Sequence, residues 1–155
     1  MWNSKKSTTL SIVVCFVFLI ILISALFLGP AAVKLWLVVY RGFKPDGKAL
    51  QDLIALFKWC FYPCSFFAFS TLYCLIRLLF NIKKQQTFIN QNVIYLRVIS
   101  WCCFAVSIIT FTGGIFYIPY IVISVAAAFV GLMLRVVKNV MQSAVEIKHE
   151  NELTI

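Results

Sequence analysis

The chain has 155 residues, 63% of them hydrophobic and 12% charged, with a mean hydropathy of +0.97. Globular chains are about 45–50% apolar and about 25% charged, and a small soluble domain needs proportionally more polar surface, so lipid is the expected second solvent. The formal net charge of +9 does not imply nucleic acid. Basic residues come singly or in pairs between long apolar runs and build no continuous basic groove or helix, a pattern that fits membrane-protein loops beside lipid headgroups.

The six cysteines, Cys15, Cys60, Cys64, Cys74, Cys102 and Cys103, all lie inside apolar runs, where cysteine behaves as a small hydrophobe. Cys60 and Cys64 share a helix face at i,i+4 spacing, but the one histidine, His149, is near the tail. Packing is the expectation for this pair, with no metal site and no cofactor.

The first charge-free run lies between Lys6 and Lys34. A bilayer core of about 30 Å needs roughly 20 helical residues, so one span fits, at 10–29. Lys5 and Lys6 before an apolar run also resemble a signal peptide, but the core is long for one and no convincing Ala-x-Ala site follows; a retained anchor is expected. Gly29-Pro30 marks a bend or exit, after which 31–40 either continues the helix or lies at the interface. The outer loop is assigned to 31–52, with a turn at Lys44-Pro45-Asp46-Gly47.

The second span is placed at 53–79. Lys58 near its start can snorkel to the surface, and Pro63 is a candidate kink of the kind membrane helices tolerate. An inner loop at 80–94 follows, with Asn90 as the expected N-cap of the next helix. Residues 98–134 carry no formal charge, and Gly113-Gly114 and Pro119 break them into spans 95–112 and 120–140, before a tail at 141–155. The expected fold is all-α: a polytopic membrane protein with four transmembrane helices arranged as two hairpins.

Four spans place Lys5, Lys6, Arg77, Lys83, Lys84, Arg97, Arg135, Lys138 and Lys148 on one side, nine of the 14 basic residues. The other side has Lys34, Arg41, Lys44, Lys48 and Lys58, offset by Asp46 and Asp52. That bias predicts cytoplasmic amino and carboxyl termini in a cell membrane. Aromatic residues agree: Trp36, Tyr40, Trp59, Tyr117 and Tyr120 fall near the outer interface, and Trp2, Tyr95 and Trp101 near the inner one. Ser107, Thr110, Thr112, Ser124 and Ala126-Ala127-Ala128 allow close helix contact in the second hairpin.

The stretch Asn81-Ile-Lys-Lys-Gln-Gln-Thr-Phe88, continued by Asn92-Val-Ile-Tyr-Leu-Arg97-Val-Ile, resembles the DUF2975 family of small bacterial membrane proteins of unknown function. The ending Glu150-Asn151-Glu152-Leu153-Thr154-Ile155 resembles that family's acidic-Asn/Asp-Leu-Thr-Ile tail. The family's loop has the style Gly/Pro-Phe-Thr-x-Glu-Asn; here Ile89 stands for the usual Thr cap and Gln91 for the usual acid, leaving Asn90 to cap one position later. The resemblance implies four spans and a cytoplasmic tail, and no chemistry. Phe88 and Asn92 are candidates for holding the inner loop, and Glu150 and Glu152 for contacting Lys83, Lys84 or Arg97 through exposed pairs worth about 0–1 kcal/mol each.

An enzyme is not expected, because no His/Glu metal motif, nucleophile elbow or glycine-rich phosphate loop occurs and the central spans lack acids. A pump would need intramembrane ionisable groups, and Lys58 is the sole candidate. The expectation is a membrane interaction or regulatory and accessory protein, including a self-immunity or peptide-sensing role. The alternative is a small channel or transporter component, in which a homo-oligomer builds a pore. Lys34, Trp36, Tyr40, Arg41, Lys44, Lys48 and Trp59 form the candidate outer surface for a membrane-protein or extracellular peptide partner.

Overall fold

A computed structural model describes the backbone of residues 4–44 and 47–153 and the side chains of 8–44 and 47–150. Trp2, Pro45, Asp46 and the final Thr154-Ile155, with the side chains of Lys5, Lys6 and Glu152, lie outside the described residues. The described residues form four helices: α1 (Ser4–Arg41), α2 (Lys48–Lys83), α3 (Asn90–Gly114) and α4 (Pro119–Leu153). All four are long and apolar enough to cross a membrane.

Their surfaces show why lipid is the second solvent. Phe27, Phe66, Val122 and Ile108 are each about two-thirds or more exposed, an arrangement that costs free energy in water but not against acyl chains. The buried apolar positions include four small ones, Cys15, Cys60, Cys74 and Cys102, beside Leu50, Leu72, Val93, Leu96 and Ile99. Cysteine here fills helix contacts, as its placement in apolar runs predicts.

α1 corrects the expected outer loop. The 38-residue helix passes through Pro30 and on to Arg41, so the connection to α2 is 42–47 and not 31–52. Proline removes one main-chain donor, and a membrane helix absorbs that loss; nothing else in 31–40 opposes helix. Gly29 has a packing role instead: a Cβ there would stand 3.3 Å from the Phe61 ring of α2. Pro63 also lies within an unbroken helix. The stop comes at Gly42, which adopts φ +65°, a left-handed conformation that glycine reaches without penalty. The Gly47 N–H then donates to the Lys44 carbonyl at 3.0 Å, closing the expected turn.

The antiparallel register is set by close approaches. Gly113 lets the Cys60 sulfur of α2 come so near that a Cβ would be 2.7 Å from it, and Gly114 does the same for Ile121 of α4. Neither takes positive φ, so this pair ends α3 by letting two neighbours in, not by a special backbone turn. Between α3 and α4 the Ser107 hydroxyl donates to the Ser124 carbonyl at 2.9 Å, and the Ser124 hydroxyl returns a bond to the Ser107 carbonyl at 2.8 Å. One step along, the Ser100 hydroxyl donates to the Gly131 carbonyl at 2.9 Å. Thr110 is buried but bonds the Val106 carbonyl of its own helix.

Among the described residues the backbones approach closely only between helices that are neighbours in sequence, α1 with α2, α2 with α3 and α3 with α4. The result is a curved row, not a closed bundle. Its concave side holds an apolar cleft of about 680 Å³ with walls from all four helices, including Phe18, Leu72, Cys102, Val106 and Ala127. No hydrophobic force closes such a row in lipid, because acyl chains are as apolar as the side chains that would meet.

Candidate functional site

The α1–α2 and α3–α4 connections share one end of the row, the outer end of the charge-based reading. There α1 delivers Trp36, Tyr40 and Arg41 at helical spacing. The Trp36 and Tyr40 ring centroids are 6.5 Å apart, and the Arg41 guanidinium carbon sits 5.9 Å from the Trp36 ring centroid. The same guanidinium donates to the Tyr117 hydroxyl at 3.4 Å, reaching across to the α3–α4 connection. Tyr117 in turn meets Tyr120 edge-on at 6.0 Å. Trp36, Arg41, Tyr117 and Tyr120 wall an apolar hollow of about 210 Å³ together with Leu37, Phe43 and Phe57, while Tyr40 stays 76% exposed beside it.

The seven outer candidates therefore divide. Trp36, Tyr40 and Arg41 come together. Trp59 is 61% exposed and lines a second groove of about 610 Å³ with Asp52, Thr112 and Phe116, which shares Leu53 and Leu56 of α2 with the first hollow. Lys34, Lys44 and Lys48 are exposed around the end without lining either hollow. Lys58, also exposed, sits two residues before Cys60 and hence level with the end of α3. Tyr117 and Tyr120 are the members that the list of candidates missed. Their interfacial placement was legible, but their contact with Arg41 spans 76 residues of sequence.

At the opposite end, the α2–α3 connection is built around one buried amide. Gln86 N–H donates to the Asn81 carbonyl and Gln85 N–H to the Ile82 carbonyl, both at 3.0 Å, with Gln85 left-handed at φ 63°. That pairing closes the C-terminus of α2. Asn92 is fully buried and donates to the Gln86 and Thr87 carbonyls at 2.9 and 2.8 Å, while its oxygen accepts from the Asn81 amide at 2.8 Å. Two main-chain carbonyls can only accept, so they fix which way the Asn92 amide points. Asn90 corrects another expectation: it is the first residue of α3, the cap position is Ile89, and no side chain bonds the cap.

Phe88 is 49% exposed, so the loop is held by Asn92. Lys83 and Lys84 end α2 and are exposed. α4 continues as helix to Leu153. Measured from the Ser100–Gly131 bond, the helical rise carries Glu150 roughly 13 Å beyond the start of α3. Arg97 instead faces α4, where it shares a hollow with Ser100, Trp101, Arg135 and Lys138. Among the described residues, no group of three or more His, Cys, Asp or Glu side chains could hold a metal.

The sequence model of the DUF2975 family, described as a protein of unknown function, matches residues 45–155. The chain belongs to this family. The DUF2975 match runs from the α1–α2 connection to the tail, so it contains the Asn92 clamp and the hydroxyl-bonded α3–α4 hairpin, while α1 lies outside it. No curated protein and no solved structure matches the chain.

Proposed function

We propose that this DUF2975 chain is a membrane interaction protein, regulatory or accessory to a partner, that recognises it at the end carrying the two connections. The observation that carries this reading is the Arg41 junction, where one exposed cation joins Trp36 of α1 to Tyr117 of the α3–α4 connection above an apolar hollow. Rigid aromatic rings beside a cation are the commonest anchors of protein recognition. The hollow suits an apolar side chain, and Arg41, Lys44 and Lys48 around it suit a carboxylate. The partner class is thus an extracytoplasmic peptide segment with an apolar residue next to an acid, in keeping with a self-immunity or peptide-sensing role. The charge bias supports a cell-membrane location with both termini cytoplasmic.

The polar interior also supports interaction over transport. Among the described residues the buried polar side chains are Ser65, Asn92, Ser100, Thr110 and Ser124; each is hydrogen-bonded within the chain, and none of them is charged. Native membranes solubilised in mild detergent test the reading, with wild type compared with a Trp36→Ala, Arg41→Gln variant. A partner retained by the wild type should bind the variant roughly 10-fold or more weakly, while the variant remains folded with at most a small drop in unfolding temperature. Absence of any retained partner, together with selective solute flux through liposomes containing the chain, contradicts the proposal and favours an oligomeric channel.

A further inference from the structure

Three cations meet between α3 and α4 with no acid among them. Arg97, Arg135 and Lys138 line a hollow of about 210 Å³ with Ser100 and Trp101. The Arg135 guanidinium carbon lies 5.5 Å from the Trp101 ring centroid. The Ser100 hydroxyl is already used, donating to the Gly131 carbonyl. That bond fixes the helix spacing from which the three cationic stems diverge.

Among the described residues no carboxylate lines this hollow. α1 and α3 contain no acid, and the one acid of α2, Asp52, is at the other end. On α4 the first is Glu146, about 12 Å of helical rise beyond Lys138, where it accepts from Gln142 at 3.1 Å. Like charges crowded without a counter-ion repel, and the surroundings must supply the anion.

The depth of the hollow says which anion. Arg97 and Arg135 bound the charge-free segment 98–134, which forms the α3–α4 hairpin. Each arm of that hairpin spans roughly 25 Å by helical rise, close to the thickness of a bilayer core. The cations therefore stand where hydrocarbon gives way to phosphate, with the 60% exposed Trp101 one turn deeper, at the level that interfacial rings prefer. Arginine forks match phosphate oxygens in pairs, and lysine adds a point charge.

We propose that this hollow binds the phosphate of an anionic diacyl phospholipid, with its acyl chains lying on the exposed apolar faces of α3 and α4. The assignment is independent of recognition at the opposite end.

Purified chain in detergent, titrated with phosphatidylglycerol, phosphatidylcholine or inorganic phosphate and followed by native mass spectrometry and thermal unfolding, tests it. Wild type should retain phosphatidylglycerol selectively and unfold at higher temperature with it. The Arg97→Gln, Arg135→Gln variant should bind it roughly 30-fold more weakly, as expected for two cations near a charged surface. Lys83→Gln, Lys84→Gln removes the same charge at the same end and should bind like wild type. Lys138→Gln alone gives an intermediate loss and serves if the double arginine variant does not fold. Equal loss in the Lys83, Lys84 variant overturns the site in favour of diffuse charge attraction. Equal stabilisation by inorganic phosphate or phosphatidylcholine overturns the lipid assignment.

Discussion

Asn92 is the side chain on which the tail-end connection depends. It is fully buried, it satisfies two main-chain carbonyls of the 84–89 turn, and it accepts from Asn81. Replacing it by alanine leaves those carbonyls without a donor in a closed space, which costs about 2–4 kcal/mol. Asn81→Ala removes one bond from a partly exposed group and should cost about 1 kcal/mol. Unfolding in detergent, paired with proteolysis of the 84–89 turn, distinguishes the two. An Asn92→Ala variant no less stable and no more cleavable than Asn81→Ala would remove the clamp from the account. Sequence could name Asn92 as a loop-orienting residue, but not its partners, because main-chain carbonyls leave no mark in a sequence. The cap was misplaced for a related reason: Asn90 has the right side chain for a cap, but the chain enters α3 at Ile89, where the loop's extended backbone ends.

At the scale of elements, the α3–α4 hairpin shows how two apolar helices hold together without hydrophobic force. Ser107 and Ser124 each donate to the other helix's main-chain carbonyl. Each bond therefore has an acceptor that substitution of the other serine leaves in place. Ser107→Ala and Ser124→Ala should each cost about 0.6 kcal/mol, and the double variant close to the sum. A double-mutant cycle in detergent measures this, and a loss far below the sum would mean that the two hydroxyls, 3.1 Å apart, act through one another. Small and hydroxylated residues made this contact legible in the sequence. Ser100 escaped notice because its acceptor is the carbonyl of Gly131. The glycines 113 and 114 were legible as a break between spans, while their second role, admitting Cys60 and Ile121, depends on which helices lie beside them. Pro30 left two readings of 31–40 open, and α1 takes the continuous one, since a residue that ends helices in water is tolerated within a membrane helix.

On the scale of the whole molecule, hydropathy and charge carried most of the fold. Four apolar segments became four helices, and the broad alternation of their ends followed from having four. What composition could not convey is that the helices form a curved row, with an apolar cleft on its concave side. It also could not convey that the outer segment is a helical hairpin, which gives Trp36, Tyr40 and Arg41 fixed relative positions and separates them from Trp59. Both consequences depend on the chain crossing the bilayer four times, with the α1–α2 and α3–α4 connections on one side.

Membrane-impermeant thiol labelling tests that claim most directly, using single cysteines placed at Lys34, Asp46, Lys84, Tyr117 and Lys148 in a chain whose native cysteines are replaced. The account predicts that 34, 46 and 117 label from one side of sealed vesicles and that 84 and 148 label from the other. Labelling of 46 and 117 from the same side as 84 and 148 would contradict it.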